Sequence, residues 1–388
     1  MRVLTMTTLF PSAARPSHGV FVANRMGRVA RTGRASVRVI APVPWFPFDA
    51  PRFGEYAEFA RTPRREDVAG LAVDHPRYVL PPKIGMGIAP DSLARAALAA
   101  ARRIVAAEGP FDLLDAHYYY PDGVAAALVA SALGVPFVVT ARGTDISLIP
   151  ENRRARARIL DAASRAAASV AVCRALKDEM IEIGAEAEKI HVLRNGVDLD
   201  VFAPPAEAPS TDGPRRLVSV GHLIERKGHH LVIEALTRLP DCALSIIGDG
   251  PERGRLESLA ARLGIDDRVR FLGRLDHDRL AAEYGAAHAL VLASSREGWA
   301  NVLLEAMACG TPVAATAIWG TPEVVADPAA GRLAPERTAE CVAETVRALL
   351  ADPPDRAATR AYAERFSWDE TIDGLLDLFE HVASAARR

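Results

Sequence analysis

Residues 294 to 316 read Ser294-Ser-Arg-Glu297-Gly-Trp-Ala-Asn301-Val-Leu-Leu-Glu305-Ala-Met-Ala-Cys309-Gly310-Thr-Pro-Val313-Ala-Ala-Thr316. An apolar strand, His288 to Ala293, leads into the short polar loop. Asn301 to Cys309 reads as a helix, closed by Gly310 and followed by Pro312, and Val313 to Thr316 is the next strand. Strand, helix and strand make one βαβ step. Its loop lies at the carboxyl end of a strand, where open parallel sheets bind their ligands.

Two carboxylates stand in that step, Glu297 in the loop and Glu305 within the helix. Asn301 and Glu305 are one turn apart and share a face. Glu305 interrupts an apolar run (Val302, Leu303, Leu304, Ala306, Met307, Ala308), so its oxygens need hydrogen-bond donors. The two hydroxyls of a ribose would supply them. Amides of Ala300, Asn301 and Val302, at the positive end of the helix, suit a phosphate. Glu297 would then take hydroxyls of a sugar beyond the phosphates. A plainer role fits the same residues, with Glu297 capping the helix and Glu305 paired or solvated. Spacing by itself leaves both open.

From Glu297 to Val313 the residues resemble the donor-site signature of retaining glycosyltransferases of family 4, Glu-Gly-x-x, five residues, then Glu-Ala-x-Ala-x-Gly-x-Pro-Val. The resemblance extends over essentially the whole chain and is nearest the branch named for teichuronic acid biosynthesis. It implies the α/β GT-B fold, two facing Rossmann-like domains with parallel sheets and a C-terminal helix crossing back to the N-terminal domain. It also implies that Glu297 holds the donor sugar, that Glu305 holds the ribose, and that Gly298, Trp299, Ala300, Asn301 and Val302 border the donor. The expected division is 1–203 for an acceptor-side domain, 204–214 for a linker rich in Pro, Ala, Ser and Thr, 215–365 for the nucleotide-sugar domain and 366–388 for the returning helix.

The chain has 388 residues, 49% hydrophobic and 25% charged, with a formal net charge of −2. That is the balance of a globular protein of two ordinary domains. Residues 1–200 carry 26 Lys+Arg against 21 Asp+Glu, so the first half is +5 and the second −7. The basic half favours an anionic acceptor or membrane surface, although solvated charge accounts for the same numbers. Cys173, Cys242, Cys309 and Cys341 are far apart, which argues for free thiols in a reducing cytosol and against a zinc site. No secretory signal is read at the amino terminus. The apolar run Gly123 to Thr140 is divided by Gly134 and Pro136 into a helix and a strand rather than a membrane span.

Along the first half, strand Arg2 to Thr8 is followed by a loop ending at His18-Gly19 and a helix, Val20 to Arg31. Gly19 either lets the backbone approach a ligand or only makes a turn; in the family, glycines of this loop face the donor. After strand Ser36 to Ala41 comes a Pro- and aromatic-rich segment with Trp45, Phe46, Phe48 and Phe53. It is expected to grip a lipid-linked acceptor or enter a membrane interface, or else to pack on its own domain. His117 ends a strand, Leu113 to His117. A lone histidine is commonly structural, but the family carries one here that faces the reacting sugar. Arg142-Gly-Thr-Asp145 follows the strand Phe137 to Ala141. Many relatives have His at the position of Arg142. An arginine clamps a carboxylate or phosphate, so Arg142 and Asp145 are read as acceptor-binding, together with Trp45. The run Arg153 to Arg158 is read as a solvated face, and Asp198-Leu-Asp200 as structural rather than metal-binding.

In the second half, strand Arg216 to Gly221 precedes His222-Leu-Ile-Glu-Arg226-Lys227-Gly228. Lys227 is the point charge expected on the donor diphosphate. Relatives place Arg where this chain has His222, which carries a full charge only below its pKa; Arg226 is the candidate substitute. The turns at Gly248-Asp-Gly-Pro251 and Arg270 to Gly273 shape the base pocket in relatives. The reading is a metal-independent retaining glycosyltransferase without a cofactor. It takes a hexosyl unit from a nucleotide sugar to a cell-envelope saccharide or lipid-linked acceptor, in the cytoplasm or at the inner membrane face, and it does not engage nucleic acid. Rival readings are a sugar-nucleotide epimerase on the same fold and a non-catalytic nucleotide-sugar- or saccharide-binding protein.

Overall fold

Apolar runs too continuous to alternate with polar residues form strands buried on both faces. Strand Leu113–His117 is buried at all five positions, and Ala289–Leu292 and Val313–Thr316 are buried at all four. The computed structural model describes residues 1–81, 85–207, 209 and 212–387. Three residues of the expected linker (208, 210 and 211) and the final residue of the expected returning helix lie outside the described residues. The chain divides into two units, Met1–Leu193 with the residues from Thr371 onward, and Arg194–Glu370.

Among the described residues the first unit holds ten strands: β1 (Arg2–Met6), β2 (Ser36–Ile40), β3 (Val43–Pro44), β4 (Arg65–Val68), β5 (Leu71–Asp74), β6 (Arg77–Tyr78), β7 (Leu113–His117), β8 (Phe137–Ala141), β9 (Ala168–Ala171) and β10 (Ile190–Val192). Eight of them form one sheet in the order β10-β9-β8-β7-β1-β2-β5-β4, and β3 pairs with β6. All pairings are parallel except β4 with β5. Helix Val124–Leu133 stops at Gly134, with φ +68°, before β8 begins, so the apolar run expected to divide there does. Among the described residues no helix is long and apolar enough to cross a membrane.

Two features of this unit differ from the periodicity. The Pro- and aromatic-rich segment after β2, which has neither helical nor strand periodicity, contains β3, a turn at Pro51–Phe53 and helix Glu55–Arg61. Residue spacing predicts a helix over Ser92 to Glu108; the helix begins at Gly85 and carries Pro90 in its second turn. Pro90 cannot make the i→i−4 bond to the Met86 carbonyl, and the Tyr120 hydroxyl donates to that oxygen instead. The last helix, Trp368–Ala386, belongs to this unit from Thr371 onward. Arg34 meets it through Asp373, Asp377 and Glu380 at 3.4, 2.7 and 3.1 Å.

The second unit holds β11 (Arg215–Val220), β12 (Cys242–Ile247), β13 (Val269–Gly273), β14 (Ala289–Leu292), β15 (Val313–Thr316) and β16 (Gly331–Ala334), in the order β13-β12-β11-β14-β15-β16. All neighbours are parallel. Leu217, Leu244, Ile246 and Val291 pack from the sheet against Val232, Ile233, Val342 and Val346 of the helices; burying each such side chain contributes roughly 1.5–3 kcal/mol. The order reverses at β11 and β14, which are adjacent, so the loops leaving their carboxyl ends meet. Those are the loops that carry Lys227 and Glu297.

Candidate active site

In the second unit the turn Glu225–Lys227 closes on Gly228, left-handed at φ +71°. A Cβ there would lie 2.0 Å from the Ala293 carbonyl oxygen, so only glycine lets this turn touch the end of β14. The contact is stitched further: Ser295 N donates to Arg226 O (2.9 Å), and Arg226 Nη1 donates to Arg296 O (2.6 Å). Lys227 Nζ consequently reaches Glu297 Oε1 at 2.5 Å, with side chains 17% and 9% exposed. Ser294 Oγ donates to the same oxygen at 2.7 Å, and Thr316 Oγ1 holds the Ser294 carbonyl at 2.7 Å.

Two of the three residues expected to be catalytic are thus brought together. Glu297 does not cap the following helix, whose N-cap, Ala300, makes no side-chain cap and whose first turn has no acid. That leaves the helix start open to an anion, with one correction: Asn301 N already donates to Trp299 O at 3.1 Å. Two further expectations fail for the same reason of internal pairing. Trp299 is buried, its Nε1 donating to Asn195 O at 3.0 Å, and Asn301 Oδ1 accepts from Asn195 Nδ2 at 3.3 Å. The side chains of Trp299 and Asn301 thus hold the loop from behind.

Glu305 is partly buried and accepts from the Tyr284 phenol at 3.0 Å through Oε2. Burial pushes its carboxyl up to about 7, offset in part by that hydrogen bond. His222 is exposed and its Nδ1 donates to Asp249 O at 2.5 Å, so in the neutral ring Nε2 carries no proton. Arg226, read as a possible substitute cation, has its Nη1 on the Arg296 carbonyl and serves the loop. The Gly248 and Gly250 turns fit against Gly221 and Leu223, where a Cβ would lie 1.9 and 2.5 Å from carbonyl oxygens.

In the first unit, His117 is fully buried at the end of β7. Arg142 Nη2 donates to its Nδ1 at 2.7 Å, and its Nε2 lies 2.9 Å from Asp115 Oδ2, close but out of line for a hydrogen bond. Burial pushes the imidazole down to about 4, so it is neutral near pH 7. The expectation that His117 faces a sugar is corrected: the ring is enclosed between Asp115 and Arg142. Asp145, expected to bind acceptor, accepts from the amides of Tyr119, Arg142 and Gly143 at 2.8, 3.0 and 2.7 Å and is buried. Its oxygens organise the β8 loop. Gly19 is left-handed, and a Cβ there would lie 2.3 Å from the Leu9 carbonyl, so the close approach is to the chain's own backbone. Arg142 stacks over Phe21 at 5.0 Å. Trp45 is 58% exposed and Phe48 55%, and neither lines the pocket of about 220 Å³ formed by Thr8, Phe10, His18, Pro44, Phe59 and Tyr78 among others.

Two family models cover most of the chain: "Glycosyltransferase Family 4" matches residues 37–201 and "Glycosyl transferases group 1" residues 204–366. The D-inositol 3-phosphate glycosyltransferase of Xylanimonas cellulosilytica is 33% identical over 72% of this chain and 74% of its own. Its namesake from Mycobacteroides abscessus is 34% identical over 70% and 66%. The chain belongs to glycosyltransferase family 4. Solved structures share the fold: sucrose-phosphate synthase from Thermosynechococcus elongatus at TM-score 0.80 and 20% identity, covering 99% of this chain and all of that one. Anabaena HepE in complex with UDP-glucose follows at TM-score 0.74 and 20% identity, covering 98% and 100%. The Xylanimonas and Mycobacteroides relatives are named for D-inositol 3-phosphate, not for teichuronic acid.

Sequence reading of this family 4 glycosyltransferase missed the residues that hold its carboxylates and its histidine. Ser294 had a signal, being a hydroxyl three positions before Glu297 at a strand end. Asp115, two before His117, had a signal in the strand's two-residue alternation, whereas Tyr284, twenty-one positions before Glu305, becomes its partner only through folding.

Proposed function

We propose that this glycosyltransferase is a retaining, metal-independent enzyme that moves a hexosyl unit from a nucleotide sugar to an anionic cell-envelope saccharide or lipid-linked acceptor. The observation that carries the reading is the 2.5 Å pair between Lys227 Nζ and Glu297 Oε1, beside a helix start with no side-chain cap. When the glycosidic bond breaks, negative charge accumulates on the departing nucleoside diphosphate. The Lys227 ammonium and the amides of Ala300 and Val302 stabilise it. On binding, the diphosphate draws Lys227 from Glu297, whose carboxylate then accepts hydroxyls of the sugar. Glu305 accepts from the ribose.

Because His222 gives its Nδ1–H to the Asp249 carbonyl, its Nε2 offers the phosphate a donor, together with a full charge, only when the ring is protonated. Arg142, backed by His117, serves the anionic part of the acceptor. That matches relatives named for a phosphorylated polyol. Trp45 offers apolar contact for a saccharide face or a lipid. The HepE complexes support UDP as the first nucleotide to test.

The test is a screen of UDP-, GDP- and ADP-sugars for thermal stabilisation, followed by transfer and donor-hydrolysis assays with and without chelator. The anomeric configuration of the product is read by NMR. Turnover that survives chelation with retained configuration is expected. An inverted product or a strict need for divalent metal overturns the mechanism. Interconversion of sugar nucleotides without acceptor identifies an epimerase, and no turnover with any donor a binding protein.

A further inference from the structure

Glu305 occupies an unusual place for a carboxylate, between Leu304 and Ala306 on a helix whose other inward residues are apolar. Its Oε2 receives the Tyr284 O–H at 3.0 Å. Tyr284 lies on helix His277–Gly285, is fully buried, and is fixed at both ends. Its carbonyl accepts from Thr311 Oγ1 at 2.6 Å, and the Phe202 ring lies 6.0 Å from its own. A phenol so enclosed has one direction in which to donate. Among the described residues no protein donor reaches Glu305 Oε1.

We propose that Tyr284 is the positioning residue of the nucleoside site: by holding Glu305 Oε2 it fixes the carboxylate plane and presents Oε1 to the ribose hydroxyls. The inference rests on the reading of Glu305 as the ribose ligand. Its consequence is electrostatic. Burial favours the neutral acid, the Tyr284 O–H favours the carboxylate, and the two bring the group to about 7. Ribose hydroxyls donate, so they bind the carboxylate form, and each pH unit below the midpoint costs about tenfold in affinity. The other titratable groups facing this helix are Cys309, pushed up to about 12 by burial and by Glu305 and therefore a neutral thiol, and two arginines of helix Arg356–Glu364. Arg356 binds the carbonyls of Gly285, Ala287 and Cys309, and Arg360 those of Ala308, Phe202 and Leu199.

The experiment titrates UDP and 2′,3′-dideoxyuridine 5′-diphosphate calorimetrically into the full chain from pH 6 to pH 9, for wild type, Tyr284→Phe and Glu305→Gln. Wild-type affinity for UDP should rise through a midpoint near pH 7 relative to the dideoxy analogue, which cancels titration of the diphosphate itself. Tyr284→Phe should move that midpoint upward, weakening UDP about tenfold at pH 6.5 and by less than about threefold at pH 9, while leaving the analogue unaffected. A loss equal at all pH values, or equal for both ligands, shows a merely structural tyrosine and overturns the proposal; so does no loss. Should Tyr284→Phe not fold, the wild-type profile decides, and a pH-independent ratio of the two affinities overturns it. If Glu305→Gln or removal of the hydroxyls leaves UDP affinity unchanged, the ribose reading itself is wrong and the proposal falls with it.

Discussion

Gly228→Ala is the substitution whose cost follows most directly from the geometry. Gly228 joins the turn carrying Lys227 to helix His229–Leu236, at φ +71° and ψ 20°. Holding alanine in the left-handed region costs about 1–2 kcal/mol. The new Cβ would also lie 2.0 Å from Ala293 O and 2.7 Å from Ala293 C, against 3.4 Å for ordinary contact. Neither atom belongs to a flexible side chain, so two backbones must part, at about 1–3 kcal/mol as in overpacked cores. The sum, about 3 kcal/mol, is a large share of ordinary domain stability, and at roughly 2–4 °C per kcal/mol it lowers the melting temperature by about 6–12 °C.

The displaced atom immediately precedes Ser294, which orients Glu297. Misplacement by about 1 Å at such a site costs on the order of 100-fold in turnover. Gly264→Ala isolates the conformational part, because Gly264 is also left-handed at φ +67° but a Cβ there meets nothing within 4 Å. Scanning fluorimetry and initial-rate transfer assays on both variants measure the difference. If Gly228→Ala melts no lower than Gly264→Ala and keeps full turnover, the close contact does not organise this site.

Lys227→Met should lose about 100- to 1,000-fold in kcat/KM and about 3 kcal/mol of stability, because it strands the Glu297 carboxylate. Adding Glu297→Gln should restore most of the stability by denaturant unfolding and none of the activity. Asp122, whose Oδ2 accepts from Thr8 N, Thr8 Oγ1 and Thr7 Oγ1 at 2.7, 3.0 and 3.2 Å, is pushed up to about 7 by burial. An acid raised on folding loses stability as pH climbs from its unfolded value of 3.8 to its folded one. Asp122→Asn should therefore gain on wild type by up to about 4 kcal/mol between pH 4 and pH 7.5, read from urea midpoints. Trp45→Ala and Phe48→Ala should each weaken binding to acceptor or to anionic liposomes by about tenfold, with donor stabilisation unchanged; unchanged binding assigns the aromatic segment to packing.

Hydrophobic periodicity and glycine placement located strands and helices in the sequence, and the resemblance of one dense motif to a known family implied the two-domain architecture. The βαβ step around Glu297, the helix from Val20 to Arg31 and the split of the apolar run at Gly134 all follow from local rules, since a strand or helix is decided by near neighbours. The same motif marked Glu297 and Glu305, and the lysine turn marked Lys227. Sequence could not say which way the side chains of that motif turn, because direction depends on what lies across the fold. Trp299 and Asn301 face Asn195, Asp145 gathers three amides, and His117 is enclosed by Asp115 and Arg142. Each is a polar group in a setting where an unpaired donor or acceptor costs more than a kilocalorie or so, so it pairs with whatever the tertiary structure brings nearest. Local pattern fixes where the loops stand; only the folded neighbourhood decides which of their atoms remain open to a substrate.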